Sequence, residues 1–122
     1  MPDHAIHTAC RAAGEIAVAP VVATLDNVLT LRSGAEPFPT ALMGFNAGIR
    51  AFNKMLGERL VANGLRAGGA INPHMTLFYA AEPVIPRAIE PIRFKVDEFV
   101  LIHSVQGRGE HHVLGRWPLR LQ

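Results

Sequence analysis

The chain has 122 residues and only one cysteine, Cys10. A single cysteine excludes a disulfide within the chain and argues against a metal site built from thiolates. No apolar run is long enough for a membrane-spanning helix, and the N-terminus lacks the basic and then apolar pattern of a signal peptide. No run of lysine or arginine marks a tail that binds nucleic acid. These absences predict a cytoplasmic protein that does not bind to or span a membrane.

The composition is that of a folded globular protein. Apolar residues make up 49% of the chain and charged residues 18%, which are ordinary proportions for a domain with its own core. A length of 122 residues is enough for one such core, so residues 1–122 are predicted to form a single domain. The formal net charge of +2 is compatible with an anionic ligand but does not identify one.

Two helices and five strands are predicted from the spacing of the apolar residues. Asn46 is a favourable N-cap and Gly64 a favourable stop for the second helix, whose Arg50 is expected to face water. The helices are predicted over residues 3–17 and 46–63, and the strands over 20–32, 40–45, 74–79, 92–105 and 111–117. Bulges are expected near Asp26-Asn27 and Asp97-Glu98. Strands joined by tight turns, with helices between them, predict an α+β fold built on an antiparallel sheet with packed helices.

The stretch Asn72-Pro73-His74-Met75-Thr76-Leu77-Phe78-Tyr79 carries the candidate chemistry. Alternate residues of a strand project to the same face, so His74 and Thr76 are predicted to lie side by side. An imidazole can move a proton near neutral pH, and a hydroxyl can hydrogen-bond a phosphate oxygen. The tripeptide alone is a weak signal, because a half-buried strand histidine that bonds to a neighbour would look the same.

Three other side chains are candidates for substrate binding. Phe78 and Tyr79 could stack a nucleobase, although Phe78 is more simply a core residue. Strand alternation predicts that Phe78 shares the face of His74, whereas Tyr79 lies on the opposite face. Arg116 could contact a phosphate if it faces the site, or it could be a solvated arginine on a strand.

A wider pattern surrounds this stretch. Pro73-His74-Met75-Thr76-Leu77 follows a helix at Ala47 to Gly64, and it precedes a long strand at Phe94 to Ser104 and a final strand at Val113 to Leu119. In combination these segments resemble the 2H phosphoesterases, the family that includes bacterial 2′-5′ RNA ligase-like proteins and RNA 2′,3′-cyclic phosphodiesterases. The resemblance covers nearly the whole chain and is strongest from Asn46 onward.

The resemblance implies a hydrolase that opens the 2′,3′-cyclic phosphate of RNA or nucleotide ends by acid–base catalysis from two imidazoles. It implies no metal and no other cofactor. His74 would be the acid or base and Thr76 a ligand of the phosphate, and Phe78, Tyr79 and Arg116 stay candidates for substrate binding on the grounds given above. Some relatives have an arginine at the position of Tyr79, where a tyrosine donates one hydrogen bond without a positive charge.

One departure from the family pattern concerns the second imidazole. Relatives usually carry two His-x-Thr motifs and this chain has one, so a truncated bilobal fold that lacks the N-terminal portion and the first motif is expected. A second copy of the chain in a homodimer could supply the other imidazole, as could another histidine of this chain. The candidates are His103, His111 and His112, which could otherwise be edge and loop histidines. A zinc site among them lacks a further ligand beyond Glu110.

The sequence is also compatible with two other functions. A non-catalytic nucleotide- or RNA-binding protein would keep half of the site and use it to hold a phosphate. A structural remnant would use an exposed sheet edge to form dimers.

Overall fold

The computed structural model describes residues 3–31, 36–69, 71–105, 107 and 109–121. These residues form helices α1 (Asp3–Gly14) and α2 (Ala47–Ala62) and strands β1 (Val21–Thr30), β2 (Phe38–Met43), β3 (His74–Ala80), β4 (Arg87–Val96), β5 (Glu98–Val105) and β6 (Glu110–Pro118). No helix within the described ranges is long and apolar enough to cross a membrane. The mixture of helices and antiparallel strands confirms the predicted α+β class.

The strands are arranged in two sheets, one with the order β3-β2-β1-β4 and one formed by β5 and β6. The single strand predicted over 92–105 is wrong, because the chain leaves one sheet at Asp97 and enters the other. β4 begins before Pro91, which it accommodates because an edge strand does not need every backbone N–H for pairing. β1 continues through Asp26 and Asn27, where a bulge was expected.

The chain divides into two compact units. The first unit comprises Met1–Val21, Ala51–Ala70 and Val96–Gln122, and the second comprises Val22–Arg50 and Ile71–Lys95. The first therefore contains α1, most of α2 and the β5–β6 hairpin, and the second contains most of the four-stranded sheet and the first turn of α2. A single domain over the whole chain stays a prediction.

Aromatic contacts organise the first unit. Phe52 meets Phe99 edge to face, with 4.8 Å between ring centroids, and Phe99 stacks on Trp117 at 5.4 Å. Phe99 and Trp117 are also opposite each other in the pairing of β5 with β6. The packing of the rings and the register of the hairpin thus stabilise the same alignment.

The four-stranded sheet organises the second unit. Ala23, Leu25 and Ala41 are almost fully buried and contribute its apolar centre. β2 lies between β1 and β3, so Met43 at its end is opposite both Asn27 and His74. This register brings the start of β3 next to the end of β2, where the candidate site lies.

Candidate functional site

His74 is the first residue of β3 and follows the buried Pro73. Its Nδ1 lies 2.8 Å from the backbone carbonyl oxygen of Asn72. Because a carbonyl oxygen only accepts hydrogen bonds, the neutral ring carries its proton on Nδ1 in this arrangement. Nε2 is then left with an unprotonated lone pair, and the side chain is exposed to solvent. His74 therefore presents a ring nitrogen that can accept a proton.

Thr76 projects from the same face of the sheet as His74. In the pairing of β2 with β3, His74 is opposite Met43 and Thr76 is opposite Ala41. Residues directly opposite each other on antiparallel strands project to the same face, and the two β2 residues are two positions apart. His74 and Thr76 thus share one face of the sheet, which we call the motif face, and both residues are exposed.

The pairing of β2 with β3 shifts by one residue after Thr76. Within the described chain, Leu77 has no opposite residue on β2, whereas Phe78 is opposite Thr40. Such a β-bulge reverses the alternation of the residues that follow it. Phe78 therefore lies on the other face of the sheet, and Tyr79 lies on the motif face.

This bulge corrects the expected orientation of two aromatic side chains. The prediction that Phe78 shares the face of His74 is wrong, because strict alternation contains no signal for an extra residue. Tyr79 is 65% exposed on the motif face, so its hydroxyl is accessible to a ligand. The substrate-binding roles of both residues stay predictions.

A pocket of about 360 Å³ opens beside His74. Its volume falls within the range of about 300–1,000 Å³ that is usual for small-molecule sites. Most of its lining is apolar, and two amide side chains and the imidazole add polar groups. The lining residues are Ala23, Leu25, Asn46, Ile49, Ile71, Asn72, Pro73, His74, Met75 and Phe94. The pocket can take a small, largely apolar group next to a proton acceptor.

Asn46 holds one wall of this pocket. Its φ of 52° lies in the left-handed region, which asparagine adopts more readily than most residues. Its Oδ1 accepts a hydrogen bond from the N–H of Thr24 at 2.6 Å, and its Nδ2 donates to the carbonyl of Gly44 at 3.3 Å. Asn46 directly precedes α2, as predicted, but its side chain binds β1 instead of capping the helix.

Arg50, which was expected to face water, is half-buried and makes three hydrogen bonds that are exposed to solvent. Nε donates to the carbonyl of Phe45, Nη1 to the carbonyl of Ile71 at 2.9 Å, and Nη2 to Oδ1 of Asn72 at 3.3 Å. The guanidinium also lies over the ring of Phe45, 4.7 Å from its centroid. Helical spacing gives no signal for these contacts, because Ile71 and Asn72 are 21 and 22 residues away in the sequence.

The other candidate histidines lie in the first compact unit. His103 is opposite His112 in the hairpin, with 6.5 Å between their ring centroids. Nε2 of His112 is 3.6 Å from a carboxylate oxygen of Glu110, and His111 is exposed on the same strand. In the part of the chain that the structure describes, no three His, Cys, Asp or Glu side chains come together as a metal site.

Arg116 is paired with a carboxylate in the same unit. Its Nη1 donates to Oε1 of Glu98 at 2.7 Å, and both side chains are about half exposed. An exposed pair of this kind stabilises a fold by about 0–1 kcal/mol. A phosphate would have to compete with Glu98 for the guanidinium, and phosphate binding by Arg116 stays a prediction.

Solved structures of a phosphoesterase, of E. coli LigT and of a Thermus thermophilus protein have the same fold as this chain. A phosphoesterase crystal structure shares 24% identity at a TM-score of 0.72, over 98% of this chain and 71% of that one. E. coli LigT complexed with 3′-AMP shares 24% identity at a TM-score of 0.71, over 98% and 71% of the two chains. A protein of Thermus thermophilus shares 20% identity at a TM-score of 0.71, over 100% and 74%.

LigT has also been solved in complexes with NADP+ and with ATP. No protein-family model matches the chain, and no curated protein matches it significantly. The structural similarity extends over nearly the whole of this chain and over 70–74% of these solved chains. The described chain has the antiparallel α+β fold of LigT, of the phosphoesterase and of the Thermus thermophilus protein.

Proposed function

We propose that this protein is a 2H phosphoesterase that opens the 2′,3′-cyclic phosphate at the end of an RNA or a nucleotide, as 2′-5′ RNA ligase-like cyclic phosphodiesterases do. The observation that carries the proposal is the contact between Nδ1 of His74 and the backbone carbonyl of Asn72, which in the neutral ring leaves Nε2 as the nitrogen that can accept a proton. Thr76 shares its exposed face. LigT, which has this fold, has been solved with 3′-AMP, and this supports a nucleotide-like substrate.

The proposed reaction is acid–base hydrolysis of the cyclic ester. Nε2 of His74 takes a proton from a water molecule as the water oxygen bonds to phosphorus. The bond from phosphorus to one ribose oxygen breaks, and that oxygen receives a proton from a second acid. The hydroxyl of Thr76 donates a hydrogen bond to a non-bridging phosphate oxygen. The pocket beside His74 would receive part of the nucleoside.

Turnover of a short RNA that ends in a 2′,3′-cyclic phosphate tests the proposal. We expect conversion to a linear phosphomonoester in the presence of EDTA, which mass spectrometry detects as the addition of water to the cyclic phosphate. The same RNA with a linear 3′-phosphate is the control and should not change. Absence of product with folded protein would contradict the proposed cyclic phosphodiesterase activity.

The alternative function is a non-catalytic protein that binds nucleotides or RNA. The single His-x-Thr motif favours it, because only one imidazole is supplied by a motif of this type. It predicts binding of 3′-AMP without turnover of the cyclic phosphate, and weaker binding when Thr76 is changed to alanine. Calorimetric titration measures the affinity, and binding that Thr76→Ala leaves unchanged would contradict the proposed half-site.

The source of the second proton can be tested by varying the protein concentration. If another copy of the chain supplies it in a homodimer, specific activity rises with concentration until the dimer is saturated. If a histidine of the same chain supplies it, specific activity stays constant. In that case one of the alanine variants of His103, His111 and His112 should lose activity.

Tyr79 is predicted to contact the substrate through its hydroxyl. We expect Tyr79→Phe to lower kcat/KM by about 10- to 100-fold, because a hydrogen bond to a charged group contributes about 1.5–3 kcal/mol. Phe78→Leu tests the other aromatic candidate for substrate binding, since Phe78 is an adjacent exposed residue on the other face. A lower kcat/KM in Phe78→Leu, with an unchanged value in Tyr79→Phe, would assign the substrate contact to Phe78 instead of Tyr79.

A further inference from the structure

We infer that Arg50 is a positioning residue for His74 and acts through Asn72. As a statement about catalysis the inference rests on the proposed function, but its structural part concerns which nitrogen of His74 carries the proton. Arg50 and His74 bond to different atoms of Asn72: the side-chain oxygen accepts from Arg50 and the backbone oxygen accepts from His74.

The guanidinium of Arg50 makes three hydrogen bonds. Two of the acceptors are backbone carbonyl oxygens, that of Phe45 just before α2 and that of Ile71 just before β3. The third is the side-chain oxygen of Asn72. The ring of Phe45 lies against its flat surface. The planar, forked geometry of arginine suits several acceptors at once, whereas lysine offers a single ammonium group.

The bonds of Arg50 limit how the backbone can move just before His74. Ile71 and Asn72 are held by Nη1 and Nη2, and the proline that follows Asn72 disfavours helical geometry at Asn72. The carbonyl of Asn72 is therefore kept in place as the acceptor for Nδ1 of His74. Because the hydrogen bond at one ring nitrogen decides where the proton resides, this carbonyl keeps Nε2 unprotonated and available as a base.

The position of the proton is measurable without any substrate. In the full-length ¹⁵N-labelled protein at a pH where histidine is neutral, long-range ¹H–¹⁵N correlation spectra distinguish a protonated Nδ1 from a protonated Nε2. The signals of His74 are assigned from their absence in His74→Gln. We expect wild type to show the proton on Nδ1, and Arg50→Met to show it shared between the two nitrogens.

Two further variants separate geometry from charge. Arg50→Lys keeps the charge but cannot make all three bonds, so we expect it to resemble Arg50→Met. Lys54→Met is the matched control, because it removes a positive charge from an exposed position one turn along α2 and should leave the wild-type spectrum. If Arg50→Met does not fold, Asn72→Ala is used in its place. This variant removes the side-chain oxygen that accepts from Arg50 and keeps the backbone carbonyl that accepts from His74.

The kinetic consequence is a loss of kcat with little change in KM. We expect Arg50→Met to reduce kcat by about tenfold, less than full removal of a proton-transfer group, which costs about 10²–10⁴. A proton that stays on Nδ1 in folded Arg50→Met or Asn72→Ala would overturn the inference. If the proton is shared in the variants but the wild-type protein has no turnover, the positioning role is supported and the proposed enzymatic activity is rejected. A failure of the inference and a failure of the proposed function are therefore distinguishable.

Discussion

His74→Ala is expected to lower the turnover of an RNA 2′,3′-cyclic phosphate by a factor of about 10²–10⁴, the usual contribution of a positioned acid or base. The substitution removes the ring nitrogen that would take the proton from water. Because the side chain is exposed, the free energy of unfolding should change by no more than about 0.5 kcal/mol. Initial rates and a thermal unfolding curve on the same samples measure both quantities.

The control for this variant is a histidine outside the proposed site. His7 is exposed on α1, and His7→Ala should keep wild-type turnover. Wild-type turnover in His74→Ala would remove His74 from the mechanism. An equal loss in both variants would indicate an effect on the protein as a whole instead of on proton transfer.

Gly44→Ala should cause a large loss of stability. A Cβ at this position would lie 2.0 Å from the backbone oxygen of Thr24, and a backbone atom on a neighbouring strand cannot rotate away. Overpacking of this kind costs about 1–3 kcal/mol and occasionally more, and we expect about 3 kcal/mol here. The melting temperature should then fall by roughly 10 °C for a chain of this size, measured by circular dichroism or calorimetry.

Gly68→Ala is the matched control for this effect. No described atom lies within 4 Å of a Cβ added at Gly68, so the melting temperature should stay within about 2 °C of wild type. Equal melting temperatures for the two variants would mean that the backbone at Gly44 adjusts. Because Gly44 also accepts a hydrogen bond from Asn46, destabilisation there should weaken ligand binding in the neighbouring pocket.

The regular parts of the fold could be predicted from the sequence. The helix predicted over 46–63 corresponds to α2 at Ala47–Ala62, because its apolar spacing, N-terminal asparagine and C-terminal glycine agree. An irregularity near Asp97-Glu98 was expected as a bulge within the strand predicted over 92–105, but the change from one sheet to another at this point could not be foreseen. Residues on both sides of Asp97 have strand-like patterns, and only tertiary pairing decides that they join different sheets.

The site could be predicted only where it depends on local spacing. His74 and Thr76 share a face because they are two residues apart on a strand. The contacts of Arg50 depend on a chain segment that returns to α2 after 21 residues. A helical pattern assigns such a residue to solvent, since it contains no information about distant acceptors.

The bulge after Thr76 bears on how sites of this kind are found in other sequences. On an unbroken strand, three side chains that share a face occur at positions i, i+2 and i+4. One extra residue changes the spacing to i, i+2 and i+5, which here are His74, Thr76 and Tyr79. A sequence search that requires strict alternation would select Phe78 as the third residue and miss Tyr79 with its hydroxyl group. A search that permits one added residue after the threonine would retrieve polar triads of this kind directly from sequence.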